Sequence, residues 1–231
     1  MESQAQPGFI VWLTGMTHAG KTTLANHIAS RLAVLGRPVE LLDEDGSAQL
    51  LLEGLGTTKE DQARVVARLG FVARAVMRAG GVAVCAALSP SREAREGLRR
   101  ETRRIVEVFV DCGMEELQRR DSAGLYRKAL AGEIKNVPGV DVPYEPPAHP
   151  EVTVHTDQVP VDEAARRVFQ AFVDARYLGP ADFGRLTGGL RPRRVRSSSS
   201  QGGRREHSPR AAARKAPRKS ALRGAAAKRR R

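Results

Sequence analysis

The residues able to do chemistry lie close to the N-terminus: Gly15-Met16-Thr17-His18-Ala19-Gly20-Lys21-Thr22, followed by Thr23. They fit G-x-x-x-x-G-K-[ST], the spacing of a phosphate-binding loop. Glycines let the backbone close round a polyphosphate with its N–H groups turned inward. A helix starting at Lys21 adds the partial positive charge of its first turn. Lys21 is placed to reach β- and γ-phosphates, and the Thr22 hydroxyl to ligate Mg²⁺. ATP and Mg²⁺ are therefore the expected cofactors. His18 is unusual in a loop that must hug phosphate, and two roles stay open for it: a solvated side chain or a charge-stabilising one.

Such a loop needs a strand before it and a helix after it. Phe9-Ile10-Val11-Trp12-Leu13 is apolar, β-branched and aromatic, as a buried strand is. Leu24, Ile28, Leu32 and Leu35 recur at helical spacing. Gly36-Arg37-Pro38 turns the chain into a second strand, Val39–Leu42, which ends on Asp43-Glu44-Asp45-Gly46. Carboxylates at the C-terminal end of a parallel strand face the ligand crevice. Residues 49–56 form a loose connection. Thr58–Ala79 reads as a helix with Thr58-x-x-Asp61 as an N-terminal box and Val65, Val66, Leu69, Val72 and Val76 as its apolar stripe. Gly80-Gly81 stops it.

Val82–Leu88 is a third strand, apolar throughout and so central. Ser89-Pro90 opens a polar helix. Ile105–Val110 is a fourth strand, Met114–Arg120 a short helix, Val152–Val154 a fifth strand and Val161–Arg176 a closing helix. Alternating strands and helices define an α/β fold, a parallel sheet flanked by helices of the P-loop NTPase type. Residues 122–150 are polar and rich in Gly and Pro. A long irregular segment inside a compact domain is usually functional, here a lid. The expected organisation is a kinase domain at 8–176, a linker at 177–190 and a tail at 191–231.

Charge separates tail from body. Of 39 Lys/Arg and 26 Asp/Glu, the last 41 residues hold 16 bases and one acid, Glu206, a net +15. The body then holds 23 bases and 25 acids, a net −2. With almost no core-forming residues the tail should be disordered. Such a segment binds nucleic acid or other polyanions by counterion release, without sequence preference; the plainer reading is a solvated extension. Cys85 and Cys112 lie in or beside apolar strands and read as buried reduced thiols, with no metal spacing. The start, Met-Glu-Ser-Gln-Ala-Gln-Pro, has no signal-peptide character, and no apolar run is long enough to span a bilayer. A cytoplasmic protein with no membrane partner is the expectation.

Three stretches resemble the adenylylsulfate kinase family: Val11–Gly15; Val106-Glu107-Val108-Phe109-Val110-Asp111-Cys112; and Gly124-Leu125-Tyr126-Arg127-Lys128-Ala129 running on through Ala131-Gly132-Glu133-Ile134-Lys135 and Asp141 to Pro143-Tyr144-Glu145-Pro146-Pro147. The last resembles the family's lid. The resemblance spans roughly residues 8–172. It implies phosphorylation of the ribose 3′-hydroxyl of adenylylsulfate in sulfate activation, with ATP and Mg²⁺. It places Asp43 where the family has the first acid of Asp-Gly-Asp, able to orient or deprotonate the acceptor hydroxyl. Asp45 is the second acid of that motif. Ser89 matches the serine of Ile-Ser-Pro, a phosphoserine in the family; an N-cap for the next helix is the alternative. Arg120 and Lys128 match basic positions near ATP. Family members are often dimers.

The acceptor side departs from the family. Ala48 stands for an arginine and Thr57 for a phenylalanine. Asp61-Gln62-Ala63-Arg64-Val65 replaces Asp-Arg-x-x-Asn, Ala67-Arg68 replaces Arg-Arg, and Lys135-Asn136-Val137 replaces Lys-Gly-Phe. Asp45, Asp61, Arg64, Arg68 and Lys135 are the candidate acceptor-binding residues that remain. A lost base stack forfeits about 1–3 kcal/mol and a lost charge-assisted hydrogen bond about 1.5–3 kcal/mol. Three readings follow: an adenylylsulfate kinase with altered recognition; a kinase for another small hydroxyl acceptor, with Arg64, Arg68 or Arg92 as anion contacts; or an ATP-binding protein with little turnover and a working basic tail.

Overall fold

The computed structural model describes residues 7–188. The sheet has five parallel strands: β1 (Phe9–Thr14), β2 (Val39–Asp43), β3 (Val82–Ala86), β4 (Ile105–Asp111) and β5 (Val152–His155), in the order β2-β3-β1-β4-β5. The centre of the sheet is β1, with β3 beside it. Both are buried along their whole length, which explains their unbroken apolar sequence. β3 is two residues shorter than its apolar run: the Ala87 N–H bonds to the Leu13 carbonyl and the Leu88 N–H to the Glu44 carboxylate.

Alternation along β1 divides the core. Phe9, Val11 and Leu13 face one layer, built on α1 (Lys21–Ala33) and α6 (Val161–Asp174). Ile10 and Trp12 face the other, built on α2 (Lys59–Arg78) and α3 (Arg92–Glu101). Side chains of successive strand residues point to opposite faces, so one strand serves both layers. Thr58 caps α2 as expected, accepting the Asp61 N–H at 3.1 Å. The cap of α3 is Ser91, which accepts the Ala94 N–H at 3.4 Å, so the capping alternative for Ser89 passes to its neighbour.

The segment 122–150 contains one short helix, α5 (Leu125–Leu130), following α4 (Met114–Arg120). The rest is irregular but tied down. Asp141 accepts the N–H groups of Asn136 and Val137, bonds that hold its carboxyl below the usual range. The Tyr144 hydroxyl meets Thr14 Oγ1 at 2.9 Å, and the Glu145 N–H donates to the Pro90 carbonyl at 3.0 Å. Lid and sheet thus meet at the C-terminal ends of β1 and β3.

The expected linker is part of the body. Residues 180–187 form α7 (Pro180–Thr187), and Leu178 and Leu186 are buried in the layer of α1 and α6. Gly179 precedes this helix and Pro180 opens it: proline is well tolerated in a first turn. The tail at 191–231 lies outside the described residues. Both cysteines are buried and free, and burial pushes each thiol up. Among the described residues no helix is long and apolar enough to cross a membrane. Leu186→Ala should lower the unfolding free energy by about 2–4 kcal/mol in urea titrations, the range for a large-to-small change in a packed core; a change near zero would return 177–188 to the status of a linker.

Candidate active site

The loop between β1 and α1 is shaped by two glycines. A Cβ on Gly15 would come within 2.2 Å of the Val110 carbonyl oxygen, so the loop can lie this close to β4 only without a side chain. Gly20, at φ 95°, adopts the left-handed conformation that starts α1. The first helical hydrogen bond runs from the Leu24 N–H to the Gly20 carbonyl, so the N–H groups of Lys21, Thr22 and Thr23 have no acceptor within the helix. Lys21 is almost wholly buried, and its Nζ donates to the Met16 carbonyl at 3.1 Å. Burial lowers its pKa, while Glu44, Asp45 and Asp43 act in the opposite sense.

These residues line a cavity of about 630 Å³. Thr17, His18, Gly20, Lys21, Thr22 and Thr23 form its loop side, Asp45 and Arg120 its polar rim, and Val159, Val161 and Ala164 an apolar wall. The lining thus combines polar donors with apolar side chains, the two kinds of surface that a nucleotide with a polyphosphate and a flat base uses. Gly15, Met16 and Ala19 shape the loop without lining this cavity; Met16 lines a second, smaller one of about 220 Å³ with Tyr144 and Phe109.

Asp43 is buried at the end of β2. One carboxylate oxygen accepts the Asp45 N–H at 3.1 Å, and the other has no protein partner. Glu44 has its carboxylate on the Leu88 N–H. Burial raises its pKa to about 7, against the opposing pull of Lys21. Ser89 is placed differently from its expected role. It is fully buried at φ 38°, and its hydroxyl accepts from Trp12 Nε1 at 3.2 Å and donates to Thr14 Oγ1 at 2.9 Å. A left-handed serine is strained. Arg95 holds it by donating to the Ser89 carbonyl from within a buried ion pair with Glu107 at 3.0 Å.

Four expected acceptor contacts are spread elsewhere. Arg64 pairs with Asp61 at 3.2 Å on the exposed side of α2. Arg68 donates to the carbonyls of Leu51 and Glu53. Lys135 and Lys128 are exposed on the lid, and none of the five lines the main cavity. Ala48, at the position of the family's arginine, is fully buried beside Leu42 and Val65, so that position now serves the core. Arg92 is taken up by the lid, donating to the Pro146 carbonyl.

Sequence reasoning missed Thr156, Tyr126 and Tyr144. Thr156 Oγ1 donates to the Ala19 carbonyl at 2.7 Å and accepts from Arg120 at 3.0 Å. It follows β5 directly, and the C-terminal end of a parallel strand was the signal that could have found it. The Tyr126 hydroxyl donates to the Thr17 carbonyl at 2.7 Å, tying α5 to the loop.

A parallel sheet with a lysine-bearing glycine loop at its C-terminal edge, beside a cavity lined by that loop, makes this a P-loop phosphotransferase, an enzyme that moves a phosphoryl group to a hydroxyl. The family model for adenylylsulphate kinase matches residues 7–155, and the chain belongs to that family. An adenylyl-sulfate kinase of a Picosynechococcus species is 42% identical over 173 residues, covering 75% of this chain and 98% of the relative. One from a Synechococcus species is 44% identical over 171 residues, covering 74% and 98%. Among solved structures, the Mycobacterium tuberculosis APS kinase CysC in complex with AMPPNP and APS superposes with a TM-score of 0.67 at 32% identity, covering 72% of this chain and 98% of that one.

ATP with Mg²⁺ is the donor of this family, and the loop fits it: first-turn amides with no acceptor within the helix, a buried ammonium and an exposed threonine belong to Lys21, Thr22 and Thr23, which all line the cavity. Glu44 gives a stability test. Its folded pKa lies above the unfolded one, so the native state holds the extra proton between about pH 4.5 and 7 and loses stability as pH rises across that window. Glu44→Gln should melt higher than the wild type above pH 7, with the two converging below pH 5 in thermal scans. Parallel curves at all pH values would remove Glu44 from the titration.

Proposed function

We propose that this protein transfers the γ-phosphoryl group of MgATP to the ribose 3′-hydroxyl of adenylylsulfate. The observation that carries the reading is the family match across residues 7–155, which takes in the loop, Asp43 and the lid together. Relatives at about 40% identity named adenylyl-sulfate kinase support the same acceptor. The geometry offers nothing that favours a different hydroxyl compound over it, since Arg64, Arg68 and Arg92 are occupied by protein partners.

The loop amides and Lys21 hold the β- and γ-phosphates in line. Mg²⁺, held through Thr22, would neutralise charge on the transferring group. Asp43 presents its free carboxylate oxygen to the acceptor hydroxyl and takes its proton as the new O–P bond forms and the bond to ADP breaks. Asp45 stands at the rim beside Lys21. Arg120, bonded through Thr156 to the loop, borders the nucleotide. The lid keeps water, the competing acceptor, from the γ-phosphate. This reaction belongs in the cytoplasm, where ATP is supplied. The tail is a separate matter: its net +15 fits a sequence-independent contact with polyanions.

Radiolabelled γ-phosphate, followed with and without adenylylsulfate, tests the reading. Transfer at about 1–100 s⁻¹, as kinases show, is expected only with the acceptor present. ATP binding without transfer would overturn the acceptor. Lys21→Ala should abolish transfer and leave the far-UV spectrum intact, and Asp43→Asn should lower kcat by about 10²–10⁴, as loss of a general base does. Deleting residues 191–231 should leave kcat unchanged while removing any salt-sensitive DNA retention.

A further inference from the structure

His18 is held in a conformation that a histidine adopts at a cost. Its φ is 65°, in the left-handed region that suits glycine. The side chain turns toward the junction of α4 and α5. There Nε2 lies 3.3 Å from Asp121 Oδ1, and the imidazole meets the Tyr126 ring edge-on at 6.1 Å. Asp121 is almost wholly buried, its side chain 2% exposed. Its Oδ2 is fixed by the Tyr126 N–H at 2.8 Å, and its Oδ1 makes no hydrogen bond. A buried carboxylate oxygen without a donor, faced by one ring nitrogen, asks that nitrogen for a proton.

The same ring lines the main cavity beside Thr17 and Lys21, with about a third of the side chain exposed. Nδ1 has no protein partner among the described residues. The imidazole is therefore in reach of a buried carboxylate and belongs to a residue lining the cavity where a polyphosphate is expected. Carboxylate and phosphate oxygens are acceptors only. A neutral imidazole carries one N–H and one lone pair, so it can satisfy one of the two and must turn a lone pair on the other. Only the imidazolium donates in both directions.

The charges around it set when that proton is taken up. Around the residue stand Asp121 against Nε2, Arg120 on the His18 backbone carbonyl at 3.5 Å and the Tyr126 ring edge-on, while Lys21 and Asp45 line the same cavity. Two of these are cations and two are carboxylates, a balanced set of charges. A triphosphate brings several negative charges at once and reverses that balance.

We propose that His18 is a nucleotide-contacting residue that takes up a proton when the polyphosphate binds, bridging it as an imidazolium to Asp121. The proposal rests on the reading of the cavity as the triphosphate site. It gives the loop a tie to the lid's base that strengthens with the ligand, alongside the Tyr126 hydroxyl on the Thr17 carbonyl. The sign follows from linkage. A proton held more tightly in the complex tightens binding at low pH, and the gain is lost as pH rises through the complex's titration.

Calorimetric titration of the full chain with the magnesium complex of AMPPNP, in buffers of differing ionisation enthalpy from pH 5.5 to 8.5, tests this. The wild type should take up a fraction of a proton approaching one near neutrality, and bind about tenfold tighter at pH 6 than at pH 8.5, the scale of one charge-assisted contact. His18→Asn tolerates the left-handed conformation but cannot charge. It should bind with no such uptake and a flatter pH profile, and protonation of the ligand itself cancels in the comparison. Asp121→Asn gives a second route: its amide can donate to Nε2, freeing a neutral ring to offer Nδ1–H to phosphate, so uptake should fall while binding persists. Equal uptake in wild type and His18→Asn, or wild-type binding with no uptake, would overturn the proposal alone. Absence of binding by the wild type at every pH would overturn the triphosphate site beneath it.

Discussion

A lysine ammonium held almost out of water is the constraint on which this structure depends. Burying Lys21 costs free energy unless its charge is answered. Its one protein hydrogen bond, to the Met16 carbonyl, is a partial answer. The carboxylates of Asp43, Glu44 and Asp45 supply an opposing field. The remainder is left for a ligand: an anion that the loop's free amides also require. A site of this kind is least stable empty, and the surrounding elements are arranged to hold it open in that state.

That holding is done from the edges. Thr156 and Arg120 brace the loop's carbonyls from β5 and α4, and Tyr126 braces Thr17 from α5. Tyr144 and Glu145 fasten the far end of the lid to Thr14 and Pro90. The lid is thus attached at both its roots, one to the loop and one to the strand that precedes the loop. Segment 122–150 is hydrogen-bonded both to the phosphate loop and to the strand that leads into it.

The opposite flank has been rebuilt around packing. Ala48 is in the core, Ser89 has its hydroxyl inside, and the buried Arg95–Glu107 pair carries the strained turn between them. Breaking such a pair exposes an uncompensated buried charge, so the pair fixes one conformation of the Ser89-Pro90 turn. The arginines of α2 are engaged by protein partners on this flank, Arg64 by Asp61 and Arg68 by the Leu51 and Glu53 carbonyls.

From sequence alone came the loop, its strand and helix and the order of alternating elements, because periodicity and glycine spacing are local properties written in neighbouring residues. Asp43 and Lys21 were legible for the same reason. What only the tertiary structure decided are relations between distant segments. Leu186 turned an expected linker into core because a helix of eight residues is stabilised by what it packs on rather than by its own propensity. Arg68 is engaged by the Leu51 and Glu53 carbonyls, and Ser89 by Trp12 and Thr14, partners that only folding brings to them. His18, Asp121 and Tyr126 became one cluster though Asp121 and His18 lie more than a hundred residues apart, since the chain brings them together only by folding two separate turns to the same edge of the sheet.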